Sequence, residues 1–215
     1  MKSEFPITQK TKITRLPKRG SYDQKTIYAI LDEALFCTVA FVFDGEPFQI
    51  PTGFCRIKDN LYIHGSVGSS YMRKLAQGDL SVCISATLLD GIVLARSAFH
   101  QSMNYRSVVL FSKATEVTDN NELENIFEIF TNKMCPGRWA DVRKPTSKEW
   151  EKTMTLCFPI SEASAKIREG NAKDDEEDYN LNTWAGVQPL QIVRMPPISD
   201  PNLKVNTKIP DYLSQ

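Results

Sequence analysis

Two runs rich in β-branched and aromatic residues, 36–43 (FCTVAFVF) and 47–56 (PFQIPTGFCR), meet at Asp44-Gly45. That dipeptide supplies the positive-φ conformations of a two-residue hairpin turn, whose twist matches the strands it joins. A chain that folds back so tightly builds antiparallel sheet. A second hairpin is expected across Lys58-Asp59-Asn60, with 61–64 (LYIH) returning. Residues 81–89 and 105–117 are further β-type runs, Asp90-Gly91 reads as another turn between strands, and 154–160 supplies a last strand. Helices are few. In 23–34 (DQKTIYAILDEA), Ile27, Ile30, Leu31 and Ala34 share one helical face. A short helix over 71–79 follows a Gly/Ser loop and stops at Gly78; a third runs from a cap at Thr118 or Asp119 to Lys133, with Ile126, Phe127, Ile129 and Phe130 as its apolar side. The expectation is a mainly β, antiparallel domain of about six strands, closed or nearly closed into a barrel, with peripheral helices.

At 215 residues the chain accommodates one such domain, placed at 23–190, with a polar arm over 1–22 and a Pro-rich tail over 191–215. The 26 Lys+Arg balance 26 Asp+Glu, which argues against a nucleic-acid partner, since that affinity needs a concentrated basic surface. No run approaches the ~18 apolar residues of a membrane span, and no apolar leader follows the first charges. Cys37, Cys55, Cys83, Cys135 and Cys157 lack the close pairs of a zinc or redox site. They read as reduced thiols of a cytoplasmic protein. With only His64 and His100 available, no metal site is expected. The acidic run 173–178 (KDDEED) reads as a solvated loop.

Hydrolase elbows, dinucleotide fingerprints and nucleotide-triphosphate loops are absent. Two stretches carry chemistry. The loop His64-Gly65-Ser66-Val67-Gly68-Ser69-Ser70 offers small side chains, three hydroxyls and a helix start, with Arg73 and Lys74 one turn on. Such a loop suits a phosphomonoester, although by pattern alone a Gly/Ser loop before a helix is more often a plain connection. The segment 90–109 (DGIVLARSAFHQSMNYRSVV) concentrates Arg96, His100, Asn104, Arg106 and Ser107, either as a site or as a polar crossover with surface ion pairs.

In order along the chain, PKRGSYD, ILDEA, GEPFQIPTGF, LYIHGSVGSS, DGIVLARSAFHQSMNYRSVV, PGRWADVRKPT, SAKIREG and WAGVQPL resemble the flavin-nucleotide-binding branch of the pyridoxamine 5'-phosphate oxidase-like family. The resemblance implies a split β-barrel binding FMN in a groove between the subunits of a homodimer. Carried onto this sequence, it sets the backbone at Pro51, Thr52 and Gly53 beside the flavin ring, with His64 and Gly65 at a strand end touching it. Ser69, Ser70 and Tyr71 fall at the phosphate-gripping positions, with Ser66 in the same loop. The oxidase itself has Arg and Lys where this chain has Ser70 and Tyr71, which leaves phosphate charge to Arg73, Lys74 or a residue from elsewhere. Arg106 and Ser107 correspond to cofactor-reaching strand positions, and Lys166, Arg168 and Trp184 to late substrate and flavin-edge residues. The implied activity is a flavin-dependent oxidoreduction of a small molecule. The alternatives are a non-catalytic flavin- or haem-binding barrel, with His64 or His100 as an iron ligand, and a structural dimer.

Overall fold

The Asp44-Gly45 hairpin forms with Asp44 at φ 51° and Gly45 at φ 79° in a computed structural model that describes residues 3–213. It joins β2 (Phe36–Phe43) to β3 (Glu46–Gly53) in antiparallel register from Phe43↔Glu46 to Phe36↔Gly53; the short β1 (Gly20–Ser21) precedes them. The run 47–56 is not one strand. At the fully buried Phe54 the chain leaves the first sheet and enters β4 (Cys55–Ile57) of a second, which returns as β5 (Asn60–Ser66).

The remaining strands are β6 (Val82–Leu94), β7 (Ser102–Ser112), β8 (Thr115–Glu116), β9 (Thr153–Pro159), β10 (Glu162–Arg168) and β11 (Gly186–Pro189). Among the described residues there are thus eleven strands rather than about six, in a seven-stranded sheet ordered β1-β10-β7-β6-β2-β3, with β11 on β6, and a four-stranded sheet β4-β5-β9-β8. Two of the extra strands arise because single apolar runs divide between sheets, and three, β1, β10 and β11, fall where the sequence reading placed no strand. The run 105–117 is one that divides, ending β7 at Ser112 and starting β8 at Thr115. All pairings are antiparallel and the two sheets form a split β-barrel.

Asp90-Gly91 is not a turn between strands. It lies inside β6 as a bulge, where the register with β7 shifts between Leu89↔Tyr105 and Gly91↔Asn104. Before the bulge β6 pairs with β2, and after it with β11. Glycine is required there by approach rather than by turning: a Cβ on Gly91 would meet Val187 Cγ1 at 3.0 Å and the Gln188 carbonyl at 3.1 Å.

The helices are α1 (Gln24–Glu33), α2 (Ser70–Ala76), α3 (Asn120–Met134), α4 (Arg138–Asp141) and α5 (Ser147–Trp150). Asp23 caps α1 by accepting from the Thr26 amide, and Asp119 caps α3 by accepting from Glu122 N. Ile27, Ile30 and Leu31 of α1 are buried as their spacing predicts, in one core with Val39, Ile84, Val108, Leu110, Leu156 and Phe158. Lys133 docks α3 onto this assembly. Its ammonium stands 3.7 Å from the Phe54 ring centroid and donates to Leu31 O at the C-terminal end of α1, and burial pulls its pKa down to about 8.

The stretch read as a polar arm lies on the barrel: Phe5 is buried in the core beside Tyr28, its amide donates to Tyr22 O, and Gly20–Ser21 forms an edge strand on β10. Residues 191–213 are irregular and largely exposed, held to the α3–α4 region where Arg194 donates to Met134 O and Tyr212 bonds Arg138 and Asp141.

Phe54 fills the corner between the sheets with no exposed surface. Phe54→Ala is expected to cost about 3–5 kcal/mol, the range for deleting a buried aromatic ring. Urea denaturation measures this, and a loss below about 1 kcal/mol means the corner collapses around the gap.

Candidate functional site

The residues assigned to the flavin ring divide between strand ends that meet where the sheets part. Pro51 is exposed at the free edge formed by β3, while Thr52 and Gly53 are half-buried. His64 lies on β5, opposite Thr155 of β9. Over both strands stands the apolar side of α3. Phe130 meets His64 edge-on with centroids 4.6 Å apart, and Phe127 lies 4.8 Å from the imidazole and in turn contacts Trp150 at 4.7 Å. A Cβ on Gly53 would come within 2.9 Å of Phe130 Cζ, so the close approach this glycine permits is made by a side chain of the protein itself. His64 is therefore a histidine boxed by aromatic rings, and burial holds its pKa below the ordinary imidazole value. The sequence marked Phe127 and Phe130 as an apolar helix side without showing what they cover.

Gly65 faces Met72, whose Cγ would lie 3.1 Å from an added Cβ, so α2 sits tightly on the end of β5. The loop between them spends most of its amides internally: Val67 N donates to Lys152 O, Gly68 N to Ser66 Oγ and Ser69 N to Ser66 O. It is less open than the sequence suggests. What it offers outward are the Ser69 and Ser70 hydroxyls and the first turn of α2, where Tyr71 is half-buried against the core. Arg73 folds back over the loop, donating from Nη1 to Val67 O at 2.7 Å. Lys74 is turned away, its ammonium 3.6 Å from the Phe43 ring centroid. Of the two cations expected near a phosphate, Arg73 alone stands over the loop.

The segment 90–109 resolves into a scaffold of ion pairs. Arg96 binds Asp174 through its backbone amide at 2.8 Å and its guanidinium at 2.9 Å, and His100 Nε2 lies 3.2 Å from Asp175. These contacts pin the acidic run 173–178, which is thus not simply solvated. Burial pushes the Asp174 carboxyl up, but the hydrogen bonds from Arg96 outweigh it and hold the group below its ordinary value. Arg106 is gripped on both sides, by Glu33 at the end of α1 and by Asp90 in the β6 bulge. These hydrogen bonds, Glu33 first, raise its pKa further. Where the sequence reading gave Arg106 a phosphate, its fork is matched within the chain by these two carboxylates.

Ser107 Oγ donates to Lys166 O across the β7–β10 ladder. Arg168 ends β10 and is buried, bonded to Asn104. Trp184 is largely exposed and lies against Gly186 at the start of β11, a Cβ on which would meet its ring at 2.9 Å. One chain therefore holds two separate groups: Gly53, His64 and the β5–α2 loop at one edge of the larger sheet, and Ser107, Lys166 and Arg168 towards the other.

His64 sets a pH dependence. The unfolded histidine takes up a proton below its ordinary value of 6.5, while the boxed one resists it, so stability falls as pH drops through that value. His64→Leu is expected to flatten this part of the profile in urea midpoints between about pH 7.5 and pH 5.5; an unchanged slope assigns it to other groups. Arg106→Ala is expected to lower stability by roughly 1–2 kcal/mol, the scale of charge-assisted bonds in a partly exposed network. Flavin titration of the same variant separates this from a binding role, because a structural arginine leaves the binding curve unchanged.

The family model described as pyridoxamine 5'-phosphate oxidase matches residues 23–167. The fold is similar to that of the flavocytochrome Anf3 from Azotobacter vinelandii, with a TM-score of 0.89 and 35% identity over 96% of each chain. It is also similar to the FAD and haem binding protein from Mycobacterium smegmatis, with a TM-score of 0.86 and 36% identity over 91% of this chain and 96% of that one. No curated protein matches. With the split barrel, the β3 edge and the β5–α2 loop in place, the chain belongs to the pyridoxamine 5'-phosphate oxidase-like family.

Proposed function

We propose that this protein binds a flavin nucleotide at the β3 edge and the β5–α2 loop and serves as a flavin-dependent oxidoreductase acting on a small molecule. The observation that carries the reading is the 35% identity, sustained over 96% of both chains, with a protein described as a flavocytochrome. The local chemistry fits. Thr52 and Gly53 present backbone at a free sheet edge, Phe127, Phe130 and His64 form an apolar wall beside it, and Arg73, bonded to Val67 O, brings a positive charge to the loop that carries Ser69 and Ser70. When bound, the flavin supplies hydride or single-electron transfer; the chain's own residues bind it, orient it and keep water from one side. FMN is the expected form, because the charged group available at the loop is one guanidinium and the surrounding side chains are small.

The same reading makes the protein a homodimer with the cofactor at the subunit interface. Large apolar side chains stand exposed on β2 (Phe36 and Val42), around the β6–β7 connection (Leu94, Phe99 and Met103) and along the tail (Ile192, Val193 and Met195), surface that a partner subunit can cover. Five cysteines without a disulfide accord with a cytoplasmic protein.

A second reading, haem bound in addition, is favoured by the names of both relatives. His64 is enclosed by two phenylalanines, whereas His100 sits beside the exposed Phe99 with only Asp175 to displace, so His100 is the candidate iron ligand.

The absorption spectrum of the purified protein, before and after addition of FMN, FAD or haemin, tests both readings. Flavin bands with FMN bound at least roughly tenfold more tightly than riboflavin are expected. Absence of flavin uptake in any form overturns the first reading, and absence of a Soret band after haemin addition overturns the second.

A further inference from the structure

A cavity of about 730 Å³ opens between residues 16–21 and the turn after β10. Its lining carries Lys18, Arg19, Arg168 and Lys173 against one carboxylate, Glu169. Among the described residues none of the four cations has a carboxylate within ion-pairing distance. In a protein with no net charge that is a local excess, and it stands across the larger sheet from the β3 edge.

Arg168 makes this more than a basic surface. The residue is 8% exposed, and burying a guanidinium without a counter-charge is costly. Its Nη1 donates to Asn104 Oδ1, and weaker contacts reach Gly170 O and Asn171 O at 3.4 Å, while its buried Nε finds no acceptor. Asn104, itself buried, donates from Nδ2 to Gly170 O at 3.1 Å, so one amide fixes both the guanidinium and the turn that closes the cavity. Gly170 takes φ +98° in that turn. Arg96 and His100 hold the next residues through Asp174 and Asp175. On the opposite wall Leu16 adopts a left-handed conformation, φ 56° and ψ 57°, immediately before the turn Pro17–Arg19 that presents Lys18 and Arg19. A rigid, strained frame thus holds an uncompensated buried cation and three others around a single opening.

We propose that this cavity is a binding site for a multiply charged oxyanion group, with Arg168 as its buried anchor and Lys18, Arg19 and Lys173 as its rim. Asn104 is a positioning residue that holds Arg168. The ligand chemistry is that of a phosphoryl or diphosphoryl group, or of paired carboxylates on one molecule; both match a guanidinium fork flanked by ammonium groups. Arg168 is one of the positions that the family resemblance gives to substrate or the flavin edge, so the inference rests on and deepens that reading, although no residue of the β5–α2 loop lines this cavity.

Isothermal titration of the purified protein with inorganic pyrophosphate, and separately with citrate, tests the inference. The expected result is saturable binding that weakens with added salt and falls roughly tenfold or more in Arg19→Gln and in Arg168→Gln. Tighter pyrophosphate identifies the phosphoryl source and tighter citrate the carboxylate source, and either supports the site. Arg19 lies at the rim, so its variant keeps the test decisive where Arg168→Gln does not fold. No binding of either anion, or binding unchanged in Arg19→Gln, overturns the proposal. Riboflavin carries no phosphate, and its titration reports the flavin site alone, so failure here is distinguishable from failure there.

Discussion

The larger sheet is organised by β6, whose 13 residues meet β7 along one edge and two different strands, β2 and β11, along the other. Val82, Ile84 and Ala86 are buried before the bulge at Asp90 and Val93 after it, so the extra residue shifts the alternation by one position as the strand bends. Its unpaired residue is put to use: the Asp90 carboxylate takes one side of the Arg106 fork, Glu33 takes the other, and α1 is thereby tied to the sheet at its C-terminal end.

That one strand also explains why polar residues crowd the segment after it. The crossover from β6 to β7 and the start of β7 pass beside residues 168–175, and three of their polar side chains meet partners there: Arg96 with Asp174, His100 with Asp175, and Asn104 with Gly170 and Arg168. Ion pairs of this kind contribute little stability one by one. Their effect is positional, since together they hold the loop after β10 in a single shape and leave Arg168 at a cavity with no carboxylate within ion-pairing distance of it.

At the other edge of the sheet the governing interaction is aromatic. Helix α3 lays Phe127 and Phe130 over His64 and Gly53, and Lys133 secures the helix through Phe54 and the α1 carbonyl. Burial in this enclosure lowers the pKa of the histidine, and the wall beside the β3 edge is largely apolar. A planar cofactor at that edge would meet a preformed surface, in contrast to the charged cavity at the far side of the sheet.

Local signals in the sequence determined the hairpin at Asp44-Gly45, the caps at Asp23 and Asp119, the buried face of α1 and the antiparallel class, because each depends on residues within one turn or one ladder step of each other. The motif order also carried the family. Only the tertiary structure decided that 47–56 and 105–117 each divide between two sheets, since a corner at Phe54 and a break after Ser112 depend on what lies on either side of them. Only it decided that Asp90-Gly91 bends a strand rather than ending one, because the reason, β11 lying on Gly91, comes from residues almost a hundred positions away. The roles of the arginines belong to the same class. Arg106 and Arg168 stand on paired strands and look alike in sequence, yet one faces two carboxylates and the other none, a difference set by long-range contacts that no local pattern encodes.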